Sequence, residues 1–142
     1  MYQYKAYVVR VVDGDTIDVD VDLGFGMTYK KQRVRMVGID TPESRTRDLE
    51  EKFFGKASKA HLKKLLEEND NKVYLTSHDK GKFGRILGDL RLSPNDVETV
   101  NQIMIKDFHA VEYYGGNKEL TEKAHLENRV ALGLKGLVYG ND

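Results

Sequence analysis

Cysteine is missing from this 142-residue sequence, which excludes disulfides and thiolate zinc sites. Any metal must therefore be held by oxygen or histidine. Tryptophan is absent too, and proline occurs twice, at Pro42 and Pro94. Nor is there an excess of charge: 23 Lys and Arg balance 23 Asp and Glu. That excludes the strongly basic signature of a protein that coats duplex DNA, but not an enzyme that must release its product. No apolar run is long enough to cross a bilayer, and the start "MYQYKAYVVRVVDGD" has neither an apolar leader core nor a small-residue cleavage site. A soluble chain with no membrane partner is expected, cytoplasmic, or secreted if a leader has been removed. At this length a single domain, residues 1–142, is expected, able to bury roughly 68–70% of the surface its unfolded form exposes.

What the chain has instead is a local concentration of carboxylates. "VVDGDTIDVDVDLG" places Asp at 13, 15, 18, 20 and 22. A hairpin with one solvated face, a calcium loop, or half of a catalytic metal site could each explain it. Cations also cluster, at Lys30, Lys31, Arg33 and Arg35 and again at Lys80, Lys82 and Arg85, and such clusters ordinarily mark solvated faces.

Around the carboxylates the pattern is that of strands. "KAYVVRVV" is β-branched and ends at Asp13-Gly14, a tight-turn signal. Ile17, Val19, Val21 and Leu23 then alternate with Asp18, Asp20 and Asp22, so those three aspartates point away from the core. "GFGMTYKKQ" reads as a hairpin tip and "RVRMVGID" as a third strand alternating to Ile39. Thr41-Pro42 stops pairing. Residues 48–68 have helical spacing through Phe53, Ala57, Ala60, Leu65 and Leu66. "NKVYLTSHD" and "GRILGDLRL" make two more strands, and Asn95 to Asp107 and Thr121 to Leu132 read as shorter helices. The fold class is α+β, and closing five strands into a Greek-key barrel would remove exposed edges.

The calcium-loop reading fails downstream of Asp18, Asp20 and Asp22. Leu23 stands where the loop needs Gly, and Tyr29 where it needs a bidentate Glu. Neither "GFG" nor "GKFGR" completes a phosphate cradle, and His61, His78, His109 and His125 lack metalloprotease spacing. Those histidines read as ordinary surface or packing residues. "RVRMVGIDTPE" is more informative, gathering Arg35, Asp40, Thr41 and Glu43 within nine residues. Parity puts Arg33, Arg35, Val37 and Ile39 on one face, read here as the inward or mouth-facing row. Arg35 could pair with Asp40 or Glu43, or await an anionic ligand.

"VVDGDTIDV", "VRMVGIDTPE" and "DKGKFGRILGDL", in this order and at these separations, resemble the staphylococcal nuclease-like family, or thermonucleases. The likeness runs from about Tyr4 to the last helix. It implies a five-stranded OB barrel with three helices and calcium-dependent cleavage of DNA, and of RNA as a second substrate, leaving 3′-phosphate ends. It assigns calcium to the carboxylates of Asp15 and Asp40 and the carbonyl of Thr41. Glu43 becomes the general base, and Arg35 and Arg85 the pair that grips the scissile phosphate. Lys82 and Tyr113 become substrate contacts, with Tyr113 preferred over Tyr114. Gly81 and Phe83 depart from the pattern, Phe83 removing a phenolic hydroxyl.

The chemistry suits that assignment. In-line attack adds negative charge to a phosphodiester, which calls for a cation and planar guanidinium forks. Crowding Asp13, Asp15, Asp40 and Glu43 together predicts mutual repulsion when no cation is bound. The alternative is a catalytically inactive OB module that binds single-stranded nucleic acid or a protein partner.

Overall fold

A computed structural model describes residues 2–80 and 84–140. The alternating first part forms β1 (Gln3–Asp13), β2 (Thr16–Gly24) and β3 (Met27–Met36). Ile17, Val19 and Val21 of β2 are buried, while Asp18 turns outward to Arg33 at 2.9 Å. The three outward aspartates were legible from the period of two. At the β1–β2 turn a Cβ on Gly14 would meet Ser58 Cβ at 2.8 Å and Thr41 Cγ2 at 3.1 Å. Glycine there lets the turn, the segment after Asp40 and a helix close on one another.

The tip between β2 and β3 is shorter than the sequence suggests. Only Phe25 and Gly26 separate the strands, because Gly24, Phe25 and Gly26 all adopt positive φ and reverse the chain in minimal length. "MTYKKQ" is therefore strand, projecting with its side chains largely exposed. The third strand also stops before Ile39. Gly38, at φ +78°, turns the chain out of the barrel, and Ile39–Asp40 forms a separate short strand, β4.

Next come α1 (Leu49–Glu67), β5 (Lys72–Lys80), β6 (Ile86–Arg91), α2 (Val100–Lys106), β7 (Val111–Glu112) and α3 (Lys118–Leu134). Asp48 caps α1 by accepting from the amides of Glu50 and Glu51. Thr99 and Gln102 form a capping box on α2, which sets its start five residues later than expected, after a turn closed by Asp96 N–H to Ser93 O. Asn117 caps α3 and starts it ahead of Thr121. The α1 face differs too: Phe54, Gly55, Ser58, Leu62 and Leu66 are buried, a stripe whose small and polar members escape a search for apolar periodicity.

The barrel closes in the order β1-β2-β3-β6-β5 and back to β1. All its pairs are antiparallel except β3 with β6. β4 pairs separately with β7. The fold is thus α+β, a closed five-stranded mixed barrel with three helices, consistent with the OB type. Ile17, Val34, Met36, Leu75 and Leu90 fill the barrel, with Leu62 and Leu66 of α1 and Val100 and Met104 of α2 in the same core. No helix among the described residues is long and apolar enough to cross a membrane.

Candidate functional site

Val34 and Met36 are the fully buried residues at the end of β3, so the core takes their row and Arg35 leaves from the other face. The expectation of an inward Arg row is corrected accordingly. Arg33, on the same outer face, is spent on Asp18, whose hydrogen bond raises the guanidinium pKa. Arg35 does something different. Its Nη1 donates to Met36 O at 2.7 Å and its Nη2 to Ile39 O at 2.9 Å, so the bend made by Gly38 folds two carbonyls around the fork. Nη2 also lies 3.4 Å from Asp15 Oδ2 and 3.8 Å from Asp40 Oδ1, with the Arg35 side chain 18% exposed.

Asp15 and Asp40 therefore face a common point from two sides. The β1–β2 turn carries Asp15, whose carbonyl accepts from Met36 N–H at 2.8 Å, stitching the turn to the end of β3. Thr16 Oγ1 donates to Asp15 Oδ1 at 2.9 Å. Asp40 is placed by the β4–β7 pair, with Val111 as its register partner. Its Oδ2 lies 2.8 Å from His125 Nε2 on α3. Thr41 follows, buried. Asp13 accepts from the Ser44 hydroxyl. Asp13, Asp15 and Asp40 thus each have a donor or cation close by, which offsets part of the repulsion expected among them.

Glu43 is exposed, and its amide donates to Glu51 Oε2 at 3.0 Å. Its carbonyl rests against Gly55 of α1. Asp40, Thr41, Glu43, Tyr113, His125 and Arg129 line part of a cleft of about 710 Å³ between the segment after β4, the start of α1 and α3. Of the two candidate tyrosines, Tyr113 lines this cleft, whereas the Tyr114 ring sits over Gly38 in another groove. Arg85 is half-buried and immediately precedes β6. It stands two residues before Leu87, the register partner of Arg35. Lys82, Gly81 and Phe83 lie outside the described residues.

The structure thus brings Asp15, Arg35 and Asp40 into one cluster and Thr41, Glu43 and Tyr113 along the adjoining cleft. His125 was missed. It is 85 residues from Asp40, and only the docking of α3 brings it near, so no local spacing could have revealed it. Among the described residues no three Asp, Glu or His side chains converge as a ready-made metal shell. Two carboxylates within reach of the same guanidinium nitrogen nevertheless have the oxygen-donor chemistry that suits a hard divalent cation drawing its other ligands from water.

A model of the family described as "Staphylococcal nuclease homologue" matches residues 33–131. The chain is 30% identical over 135 residues to a thermonuclease from Staphylococcus hyicus, covering 94% of this chain and 75% of that protein. It is 36% identical over 84 residues to a thermonuclease from Staphylococcus intermedius, covering 58% of this chain and 46% of that one. A micrococcal nuclease from Shigella flexneri is 30% identical over 141 residues, covering 92% and 73%. Barrel topology, the matched segment and the breadth of these likenesses agree: the chain belongs to the staphylococcal nuclease family.

Proposed function

We propose that this chain is a calcium-dependent endonuclease that hydrolyses phosphodiester bonds of DNA and of RNA. The observation that carries the reading is the meeting of Asp15, Asp40 and the Arg35 fork at one point beside the Glu43 cleft. Kinship with proteins named thermonuclease supports it.

Asp15, Asp40 and the Thr41 carbonyl would hold calcium, which when bound supplies positive charge to the phosphoryl group and polarises a water. Everything else falls to the chain. Arg35 is oriented in advance by the Met36 and Ile39 carbonyls, so its fork costs little reorganisation when charge builds on the phosphoryl oxygens. Arg85 acts as the second fork. Glu43 orients the attacking water and takes its proton; its amide is tied to Glu51, which fixes the main chain while leaving the carboxylate accessible. Departure of the 5′ oxygen leaves a 3′-phosphate. His125 positions Asp40, and Tyr113 and Lys82 contact the substrate beyond the scissile bond.

The test is incubation of purified protein with 5′-labelled single-stranded DNA and RNA in calcium, magnesium or chelator. Cleavage in calcium, poor cleavage in magnesium and products that a polymerase cannot extend until dephosphorylated are expected. Binding without cleavage in calcium would instead establish the inactive OB module.

A further inference from the structure

We propose that a second surface, a basic groove beside the cleft, holds the sugar-phosphate backbone of the strand that flanks the cleavage point. The proposal rests on the nuclease reading and extends it to the path of the substrate. Arg45 and Arg47, from the segment before α1, and Lys52, Lys56 and Lys59 of α1 line a groove of about 600 Å³ together with Ser44 and Thr46. Positions 52, 56 and 59 share one helix face, and like charges at that spacing destabilise a helix.

Some cations elsewhere are paired, Lys63 with Glu67, Lys106 with Glu98, Arg129 with Glu50 and Arg33 with Asp18, and other unpaired ones lie outside this groove; what distinguishes these five is that one concavity gathers them. Among the described residues none of the five groove cations forms an ion pair. In a chain of zero net charge, five uncompensated cations in one concavity call for an external polyanion. The neighbouring cleft is mixed but richer in carboxylates, with Asp48, Glu51 and Glu122 beside Lys118 and Arg129 in its walls. Glu43 lines the cleft and Ser44 the groove, so the two surfaces meet at one peptide bond. A strand that contacts Arg35 and Tyr113 and continues past Glu43 and Ser44 would pass from a mostly acidic surface to a basic one.

The ligand chemistry follows from the lining. Arg45 and Arg47 offer planar forks suited to phosphate, and Lys52 to Lys59 span about 10 Å at 1.5 Å per residue, enough to meet more than one phosphate of a strand. No apolar side chain lines the groove, which disfavours a lipid surface, where basic residues act beside inserted apolar ones.

The test uses the triple variant Arg45→Gln, Arg47→Gln, Lys56→Gln, whose three sites are all exposed, with melting curves to confirm that the fold is kept. Binding of a labelled single-stranded 20-mer is measured in chelator against salt. The plot of log affinity against log salt should flatten by about 2, the ~0.7 per contact expected for three lost phosphate contacts on a single strand. In calcium, KM for the 20-mer should rise about 10-fold, while kcat and the hydrolysis of a dinucleotide hold within about twofold, because only the long substrate reaches the groove. Equal affinities and equal slopes for parent and variant overturn the proposal. So does binding to vesicles of phosphatidylserine and phosphatidylcholine that the substitutions abolish while DNA binding persists. If the parent cleaves nothing in calcium, the nuclease reading fails, and the binding arm still decides the groove.

Discussion

Gly55 links the helix to the site, and Gly55→Ala tests that link. A Cβ there would lie 2.7 Å from the Ser44 amide nitrogen and closer still to the Glu43 carbonyl. Ordinary contact needs about 3.5 Å, so the 43–44 backbone would have to move by about 1 Å. On an open helix face, Gly→Ala stabilises by up to about 1 kcal/mol; overpacking of this kind costs about 1–3 kcal/mol. The net expectation is a loss of about 0–2 kcal/mol, with turnover on single-stranded DNA down by about 10²-fold because a shift of about 1 Å displaces Glu43. Gly133→Ala is the control. Its nearest neighbour would be Val138 Cγ2 at 3.9 Å, so it should hold activity and keep or raise stability. Urea melts and initial cleavage rates compare the two. Equal stability and activity in both variants would refute the claim that α1 sets the position of Glu43.

Arg35→Lys keeps the charge but cannot bridge the Met36 and Ile39 carbonyls while presenting a fork; we expect turnover about 10²-fold lower and a stability loss of about 1–3 kcal/mol, read by single-turnover cleavage and denaturant melts. His125→Gln should weaken calcium binding by about 10-fold to 100-fold, since a partner that orients a ligand carboxylate is lost, and calorimetric titration with calcium reads this directly. His109 should make the chain acid-sensitive. Burial, helped by His61 and Lys135 and opposed by Asp107, pulls its pKa down to about 4, and its buried Nδ1 has no hydrogen-bond partner among the described residues. The unfolded chain takes the proton near pH 6.5 and the folded one only near pH 4, so stability is full above pH 6.5 and falls as pH drops between these values. Allowing for partial exposure, about 1–2 kcal/mol should be lost over that window, and melts of His109→Asn should show a flatter pH dependence than the parent.

Strands were legible where one face is buried, because a register slip would expose every inward residue. Ile17, Val19 and Val21 against Asp18, Asp20 and Asp22 are the clear instance. The same parity count put Arg33 and Arg35 together correctly but assigned them the wrong face, since Val34 and Met36 compete for the interior and win. Two glycines made "GFGMTYKKQ" look like loop, although they shorten the turn rather than lengthen it. The α1 stripe was misjudged because Gly55 and Ser58 are buried for close approach and for a hydrogen bond to His109 O, which apolar periodicity does not register. Three motifs carried the family likeness, and with it Asp15, Arg35 and Asp40. His125, and a basic groove drawn from a loop and one helix face, depend on docking and so left no local signal.

In the proposed function Asp15, Arg35 and Asp40 act together as one catalytic metal site. The most direct test of this claim compares the parent with Asp15→Asn, measuring single-stranded DNA cleavage and melting temperature together across a calcium titration. Calcium should stabilise the parent by an amount that grows as RT ln(1 + [L]/Kd), raising its melting temperature, while cleavage rises in step. Asp15→Asn should stay folded and bind DNA, yet show little thermal shift and turnover lower by about 10²-fold or more. Equal calcium shifts and comparable cleavage in the two proteins would contradict the claim, leaving the turn at Asp15 a structural feature alone.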